Sequence, residues 1–339
     1  MTFRVAGVSS GRARGALVFA PFPVLTVTVE QRGDGDDIHV HAGGQGFWIA
    51  RMLATLELPV TVCGAFGGET GTVIRTLIEQ QDIRVRAVEA ETPNPAYVHD
   101  RRGGERKVVS ETPVLPLSRH DVDELYGAAL VEGLDASITV IGGSQPKVLP
   151  DETFRRLSRD LRANGATVVA DLSGGQLRAA LQGGVDVLKV SHAELINDGW
   201  ADGASESALL RAMFDLRAAG ARTVVVSRAE HPALVLDDDV IASVEVPTFE
   251  PLDHRGAGDS MTAGIAAGLA EGAPLRDAIR LGAAAGTLNV TRRGLASGER
   301  AAIQQLAARV ELRPIETLDA PPPPPTTTPE ALAARIGPR

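Results

Sequence analysis

The strongest constraint on the fold is the order in which two hydrophobic periods alternate along the chain. The run "ALVFAPFPVLTVTVE" (16–30) is apolar and β-branched, and Pro21 and Pro23 divide it into two strand pieces joined by a rigid bend. The polar stretch "QRGDGDDIHVH" (31–41) reads as a loop or an edge excursion. A glycine-rich turn then leads into a helical pattern from Trp48 to Leu56, a strand from Val60 to Cys63, a helix from Gly71 to Gln81 and a strand in "IRVRAVEA". Strand and helix keep trading places through "SITVIGG" (137–143), a helix near 151–163, "ATVVADLSG", a helix near 175–181, "DVLKVS", a helix near 204–218 and "ARTVVVS" (221–227). The segment "HPALVLDDDVIASVEVP" reads as a hairpin or meander, and helices over 257–270 and 275–289 complete the order. This is the pattern of an α/β layer fold: a central, mostly parallel sheet flanked by helices.

Composition narrows the function classes. With 339 residues, 44% of them hydrophobic, the chain can bury a large core in one domain or two. A formal charge of −9 argues against a general nucleic-acid or anionic-membrane binder. The single cysteine, Cys63, excludes an intrachain disulfide framework and a multi-cysteine metal site, and points to a reducing, cytoplasmic setting. No run of about 18 apolar residues is present to span a membrane. Residues 1–16 carry three arginines and no apolar signal core, so a flexible N-terminus is expected there. Beyond Leu312 the character changes, and Pro321–Pro325 heads an extended, proline-rich tail over 313–339.

The stretch "HRGAGDSMTAG" (254–264) carries the chemistry. Gly256, Ala257 and Gly258 have almost no side chain, so at the opening of a helix their backbone N–H groups can face a ligand, with the positive end of the helix dipole behind them. Asp259, next to that anion hole, can take a proton from an attacking hydroxyl while the N–H groups hold a transferring phosphoryl group. The competing structural role is a helix cap and tight turn. Further glycine-rich strand-to-helix turns at "GGQG" (43–46) and "GAFGGETG" (64–71) can approach phosphates or sugar hydroxyls. Neither a Walker A loop nor a G-x-G-x-x-G after the first strand occurs, which disfavours a P-loop ATPase and a dinucleotide dehydrogenase.

Four ordered segments resemble the PfkB, or ribokinase-like, family of carbohydrate kinases, nearest its 1-phosphofructokinase and tagatose-6-phosphate kinase branch. They are "GGQGFWIARML" against GGKGxNVARxL, "FGGETG" against GGxTG, "DLSGGQLRAALQGGVDVLKVSHAEL" against DxSGxxLxxxL…xxKPNxxEL, and "RGAGDSMTAG" against GAGDSMxAG. The resemblance implies one ribokinase-like kinase domain over 17–312, with a small β lid built from elements near 25–42 and 95–115, and dimers joined through the lids. It implies ATP and Mg²⁺ as cofactors and a small sugar or sugar phosphate as substrate, with no nucleic-acid or membrane partner. Asp259 then corresponds to the catalytic base and Gly256, Ala257 and Gly258 to the anion hole. Lys189, Ser191, Glu194, Ser227, Arg228 and Gly286 fall on the nucleotide side, Glu194 placing the metal indirectly through water. Val24, Gly43, Gly44, Gln45, Trp48 and Pro93 fall on the acceptor side.

Departures concentrate at the acceptor. Gln45 and Trp48 replace the lysine and asparagine of GGKGxN, Pro93 replaces an arginine expected to pair with a sugar phosphate, and Val24 replaces an aspartate that grips sugar hydroxyls. Each lost charged partner costs about 2–5 kcal/mol, so fructose 1-phosphate and tagatose 6-phosphate are expected to bind weakly through these positions. Arg101, Arg102, Arg106 and Lys107 offer replacement charge from a loop. On the nucleotide side, Ala229 and Pro232 replace two glycines. The leading reading is ATP-dependent phosphoryl transfer to a hydroxyl of a sugar or sugar phosphate. A kinase for a non-phosphorylated sugar, polyol or nucleoside, and a catalytically weakened ligand-binding or regulatory homologue, are the alternatives.

Overall fold

The computed structural model of the chain describes residues 15–315 apart from 105, 239, 251, 253 and 293. The flexible start expected over 1–16 and the proline-rich tail expected over 313–339 lie outside the described residues, except at their inner ends. There Ala16 already pairs in the first strand, and Arg313 and Pro314 pair in the last.

Strand β1 (Ala16–Phe19) sets the plan of the molecule, because it is buried on both faces. Leu17 and Phe19 enter one core while Ala16 and Val18 enter the other, as expected of a parallel sheet covered on both sides. Pro21 and Pro23 end its pairing, and the chain leaves the sheet for β2 (Val24–Arg32) and β3 (Gly35–Gly43). It returns through α1 (Gln45–Thr55), β4 (Val60–Phe66), α2 (Gly68–Glu79) and β5 (Arg84–Glu89). A second excursion forms β6 (Ala96–Asp100) and β7 (Lys107–Glu111). Regular alternation follows: α3 (Arg119–Asp135), β8 (Ile138–Gly142), α4 (Asp151–Ala163), β9 (Val168–Asp171), α5 (Gly174–Gly183), β10 (Val185–Ser191), α6 (His192–Asn197), α7 (Glu206–Ala219) and β11 (Ala221–Arg228). Strands β12 (His231–Asp237) and β13 (Val240–Glu245) form a hairpin. Helices α8 (Ala257–Ala270), α9 (Leu275–Val290) and α10 (Arg300–Ala307) precede the final strand β14 (Glu311–Pro314).

These strands make two sheets. The large one has the order β14-β13-β12-β11-β10-β9-β8-β1-β4-β5, and its members from β11 to β5 run parallel. The chain builds outward from β1 through β4 to β5, then crosses back to β8, so the strand order reverses between β1 and β8. Crevices outside the carboxyl ends of strands at such a reversal are where α/β sheets bind ligands. One core contains residues of α3, α4, α5 and α7, and the other residues of α1, α8, α9 and α10.

The small sheet, order β3-β2-β6-β7, stands apart as a lid. The stretch 31–41, expected as a loop or edge excursion, is its hairpin turn and edge strand. Register places Thr26 opposite His41 and Tyr97, and Thr28 opposite His39 and His99, so these polar residues share a face. Thr28 and His99 on that face are buried. The alternate positions Val27, Val29, Val40, Ile38 and Val98 form the opposite face, where Ile38 is 63% and Val40 44% exposed. Among the described residues, no helix is long and apolar enough to cross a membrane.

Helix α8 lies between the sheet and α9 and is buried from Ser260 to Gly268. Glycine permits the approach: a Cβ built at Gly264 would lie 2.6 Å from the Gly282 Cα. Since backbone cannot yield as a side chain can, Gly264→Ala is expected to cost about 1–3 kcal/mol. A denaturant midpoint unchanged from the parent would contradict this packing.

Candidate active site

The opening of α8 is bare. Gly256, its N-cap, adopts φ 72°, the left-handed region that glycine occupies without strain, and no side chain caps the helix. The first-turn N–H groups of Ala257, Gly258 and Asp259 therefore project from the helix end without a side-chain acceptor. Asp259 is half-buried, and its carboxylate has no hydrogen-bond partner among the described residues. Burial first, then the neighbouring charge of Asp171, pushes its pKa up to about 7, with Glu194 adding to the rise and Lys189 opposing it. An unpartnered acid poised near neutrality beside free N–H groups is suited to accept a proton.

Beneath this helix end the strand termini supply a buried ion pair. The register aligns Asp171, at the end of β9, with Gly142 of β8 and Lys189 of β10. Lys189 Nζ lies 3.1 Å from Asp171 Oδ2, and the Thr262 hydroxyl donates to the same oxygen at 2.6 Å. Burial alone would lower the Lys189 pKa, but Asp171, with Asp259 and Glu194 behind it, holds it above its ordinary value. The other carboxylate oxygen, Asp171 Oδ1, is buried without a partner. Gly258 completes the contact, since a Cβ there would fall 2.5 Å from Lys189 Nζ.

The remaining nucleotide-side residues divide. Ser191 and Glu194 form a capping box at the start of α6. Glu194 Oε2 accepts from the Ser191 N–H (2.8 Å) and hydroxyl (2.6 Å), while Ser191 Oγ accepts from the Glu194 N–H. Ser227 sits level with Ser191 on the neighbouring strand. Gly286 packs against the first turn of α8, where a Cβ would meet the Ala257 carbonyl oxygen at 2.9 Å. Arg228 turns aside at a bulge, donating to the Pro232 carbonyl and pairing with Glu206 at 3.3 Å. Ala229, which replaces a glycine, has φ 50°, so this turn requires the left-handed conformation that glycine would adopt more cheaply.

On the acceptor side, Gln45 begins α1 and its Oε1 accepts from the Gly143 N–H at 2.9 Å, closing the crevice at the strand reversal. Val24 pairs with Gly43 where the lid joins the sheet. Gly44 (φ 98°) is the α1 N-cap, packed on Pro23 and Val24. Trp48 packs among Phe47, His41 and Arg51, with ring separations of 4.8 Å to Phe47 and 6.5 Å to His41. Pro93 rests on Gly68 at the start of α2. The structure thus groups Asp259, Gly258, Lys189 and Glu194 at one centre and Val24, Gly43, Gly44 and Gln45 at the lid hinge. Arg228 and Pro93 stand off from both.

Sequence reasoning passed over two residues at the centre of these networks. Asp171 lies inside the quoted "DLSG" segment, and an acid closing an apolar strand was the available signal. Asn94, beside Pro93, bridges three segments. Its Nδ2 donates to the Pro23 and Ala65 carbonyls (2.9 and 3.1 Å), and its Oδ1 accepts from the Gly67 N–H at 2.8 Å.

A doubly wound sheet with a small β lid, and a bare helix end at its carboxyl edge, is the ribokinase-like architecture. The chain belongs to the pfkB family of carbohydrate kinases, whose profile matches residues 24–302. It is 28% identical over 278 residues to 1-phosphofructokinase of Bacillus subtilis (strain 168), covering 80% of this chain and 88% of that one. It is 30% identical over 258 residues to ATP-dependent 6-phosphofructokinase isozyme 2 of Escherichia coli (strain K12), covering 74% and 82% respectively. The structure of phosphofructokinase-2 from Escherichia coli in complex with fructose-6-phosphate superposes with a TM-score of 0.76 at 25% identity, covering 87% of this chain and 99% of that chain.

Proposed function

We propose that this protein transfers the terminal phosphoryl group of ATP to a hydroxyl of a sugar or sugar phosphate, in the manner of the 1-phosphofructokinase-like kinases it resembles. The observation that carries the reading is Asp259, an unpartnered carboxylate with a pKa near 7 in the first turn of an uncapped helix. In this mechanism Asp259 takes the proton as the acceptor oxygen bonds to phosphorus and the bond from phosphorus to the leaving ADP oxygen breaks. The N–H groups at residues 257–259 face the negative charge on the transferring group. Lys189 and Asp171 hold the floor of the site in place.

Mg²⁺ would neutralise the triphosphate. Among the described residues there is no cluster of three or more His, Cys, Asp or Glu side chains able to hold a metal. That donor set fits an ion carried on phosphates and water, with few protein ligands. Glu194, committed through Oε2 to its capping box, is the residue placed to orient it through water. A screen of ADP release over sugars, sugar phosphates and nucleosides tests the function. Release absent for every acceptor, or equal in an Asp259→Asn variant, would sink the reading.

The lid also supports a homodimer. Its apolar face is turned outward, the reverse of what a sheet facing water requires, and a second lid would bury Ile38 and Val40. Val40→Asp is expected to yield a monomer in sedimentation at micromolar concentration. A monomeric parent protein would remove the lid as an interface.

A further inference from the structure

The buried face of the lid gathers basic side chains in a chain that is otherwise acidic. On β6, Tyr97 and His99 stack with ring centroids 5.8 Å apart. His99 is 2% exposed, and its Nε2 lies 2.8 Å from a guanidinium nitrogen of Arg106. A guanidinium only donates, so Nε2 must accept and the ring is held neutral. Burial and the nearby Arg106, Arg255, Arg101 and His41 lower the His99 pKa in agreement. Arg106 is likewise lowered, by burial and by its neighbours Arg255 and Arg101. Acidic groups nearby are committed elsewhere: Glu30 pairs with Arg101 at 3.3 Å, while Asp36 and Asp100 take Arg102. Among the described residues Arg106 has no carboxylate partner.

Arg255 comes from the other side of the cleft. It immediately precedes Gly256, the bare N-cap of the helix that carries Asp259, and its carbonyl is held by Asn289 Nδ2 at 2.7 Å. Like charges brought together and withdrawn from water raise the energy of the protein, and a bound dianion relieves that cost. We propose that Arg106 of the lid and Arg255 of the helix opening bind the phosphate monoester of a phosphorylated sugar acceptor, with His99 orienting Arg106. The proposal rests on the kinase reading for the word acceptor. It relocates the cations missing at Gln45 and Pro93, and so replaces the weak phosphosugar binding expected from those two positions alone.

The test is calorimetric titration of the full chain with fructose 1-phosphate, fructose 6-phosphate, tagatose 6-phosphate and fructose. At least one phosphosugar is expected to bind in the micromolar range and at least about 10-fold more tightly than fructose. Arg106→Ala and Arg255→Ala are each expected to lose about 10-fold or more of that affinity. Arg106→Lys should retain part of it, and a non-hydrolysable ATP analogue should bind all variants as it binds the parent, which excludes misfolding. Fructose binding as tightly as its phosphates, millimolar binding of every phosphosugar, or undiminished binding by both alanine variants overturns the proposal. Phosphosugar binding without ADP release for any acceptor would instead remove the kinase reading and leave the anion site standing.

Discussion

Asp259→Asn is expected to lower turnover by at least about 10²-fold, the range for loss of a general base, while the variant becomes more stable than its parent. The two effects share one cause. Burial and the charge of Asp171 raise the Asp259 pKa from 3.8 to about 7 in the folded protein. The unfolded chain therefore holds its proton less tightly than the folded one. Stability contributed by this group is complete below pH 3.8, is lost as pH rises through the window to about 7, and stays lost above it. Asparagine carries no such penalty, so the gain of the variant should be on the order of 1–2 kcal/mol at pH 8 and vanish near pH 4. The parent's kcat/KM should fall below pH 7 as Asp259 protonates, about tenfold per pH unit. Thermal denaturation at the two pH values, together with a pH–rate profile, measures all three. An Asp259→Asn protein that is as active as the parent, or less stable at pH 8, contradicts the assignment.

Lys189→Met is expected to destabilise the fold by about 3–5 kcal/mol, because it strands the Asp171 carboxylate in the interior. Lys189 and Asp171 are 4% and 1% exposed, and Thr262 is the only other group that donates to the Asp171 carboxylate among the described residues. Removing both charges should reverse most of the loss, since a buried pair costs nearly as much to desolvate as it returns. Asp171→Asn combined with Lys189→Met should accordingly recover at least half of the stability, read as the urea midpoint of each protein. A single variant within about 1 kcal/mol of the parent would mean that the pair is wetter than its burial implies.

The layer order was legible because most elements advertise themselves by one period. Helix α4 matches its expected span over 151–163, with Phe154, Leu157 and Leu161 on one buried stripe. Helix α3 escaped notice because Val131 and Leu134 are exposed beside its buried Leu125, Ala128 and Ala129, which blurs that stripe. Its Ser118 cap, which accepts from the Asp121 N–H, was the usable sign. The helix opening before Asp259 could be read from residue size alone. Its electrostatics could not, since the raised pKa depends on Asp171 and Glu194, far off in sequence. Arg255 lay in plain view beside the glycines, but only the folded lid brings it toward Arg106 and His99. The left-handed turn at Ala229 was likewise invisible, because alanine does not announce it as glycine would.

The amide of Asn94 settles how the lid can move. Both crossings between the large sheet and the lid, at Pro23 and at the residues leading into β6, meet on this one side chain, which also holds Ala65 of β4 and Gly67 before α2. Rotation of the lid about its root would break three buried hydrogen bonds at once, so the root behaves as a weld. Motion is left to the free rim, where β3 and β7 each have an unpaired edge. The cleft opens as a page curls from a bound spine, and hydrogen exchange should find slow amides at Gly67 and fast ones along the outer edges of β3 and β7.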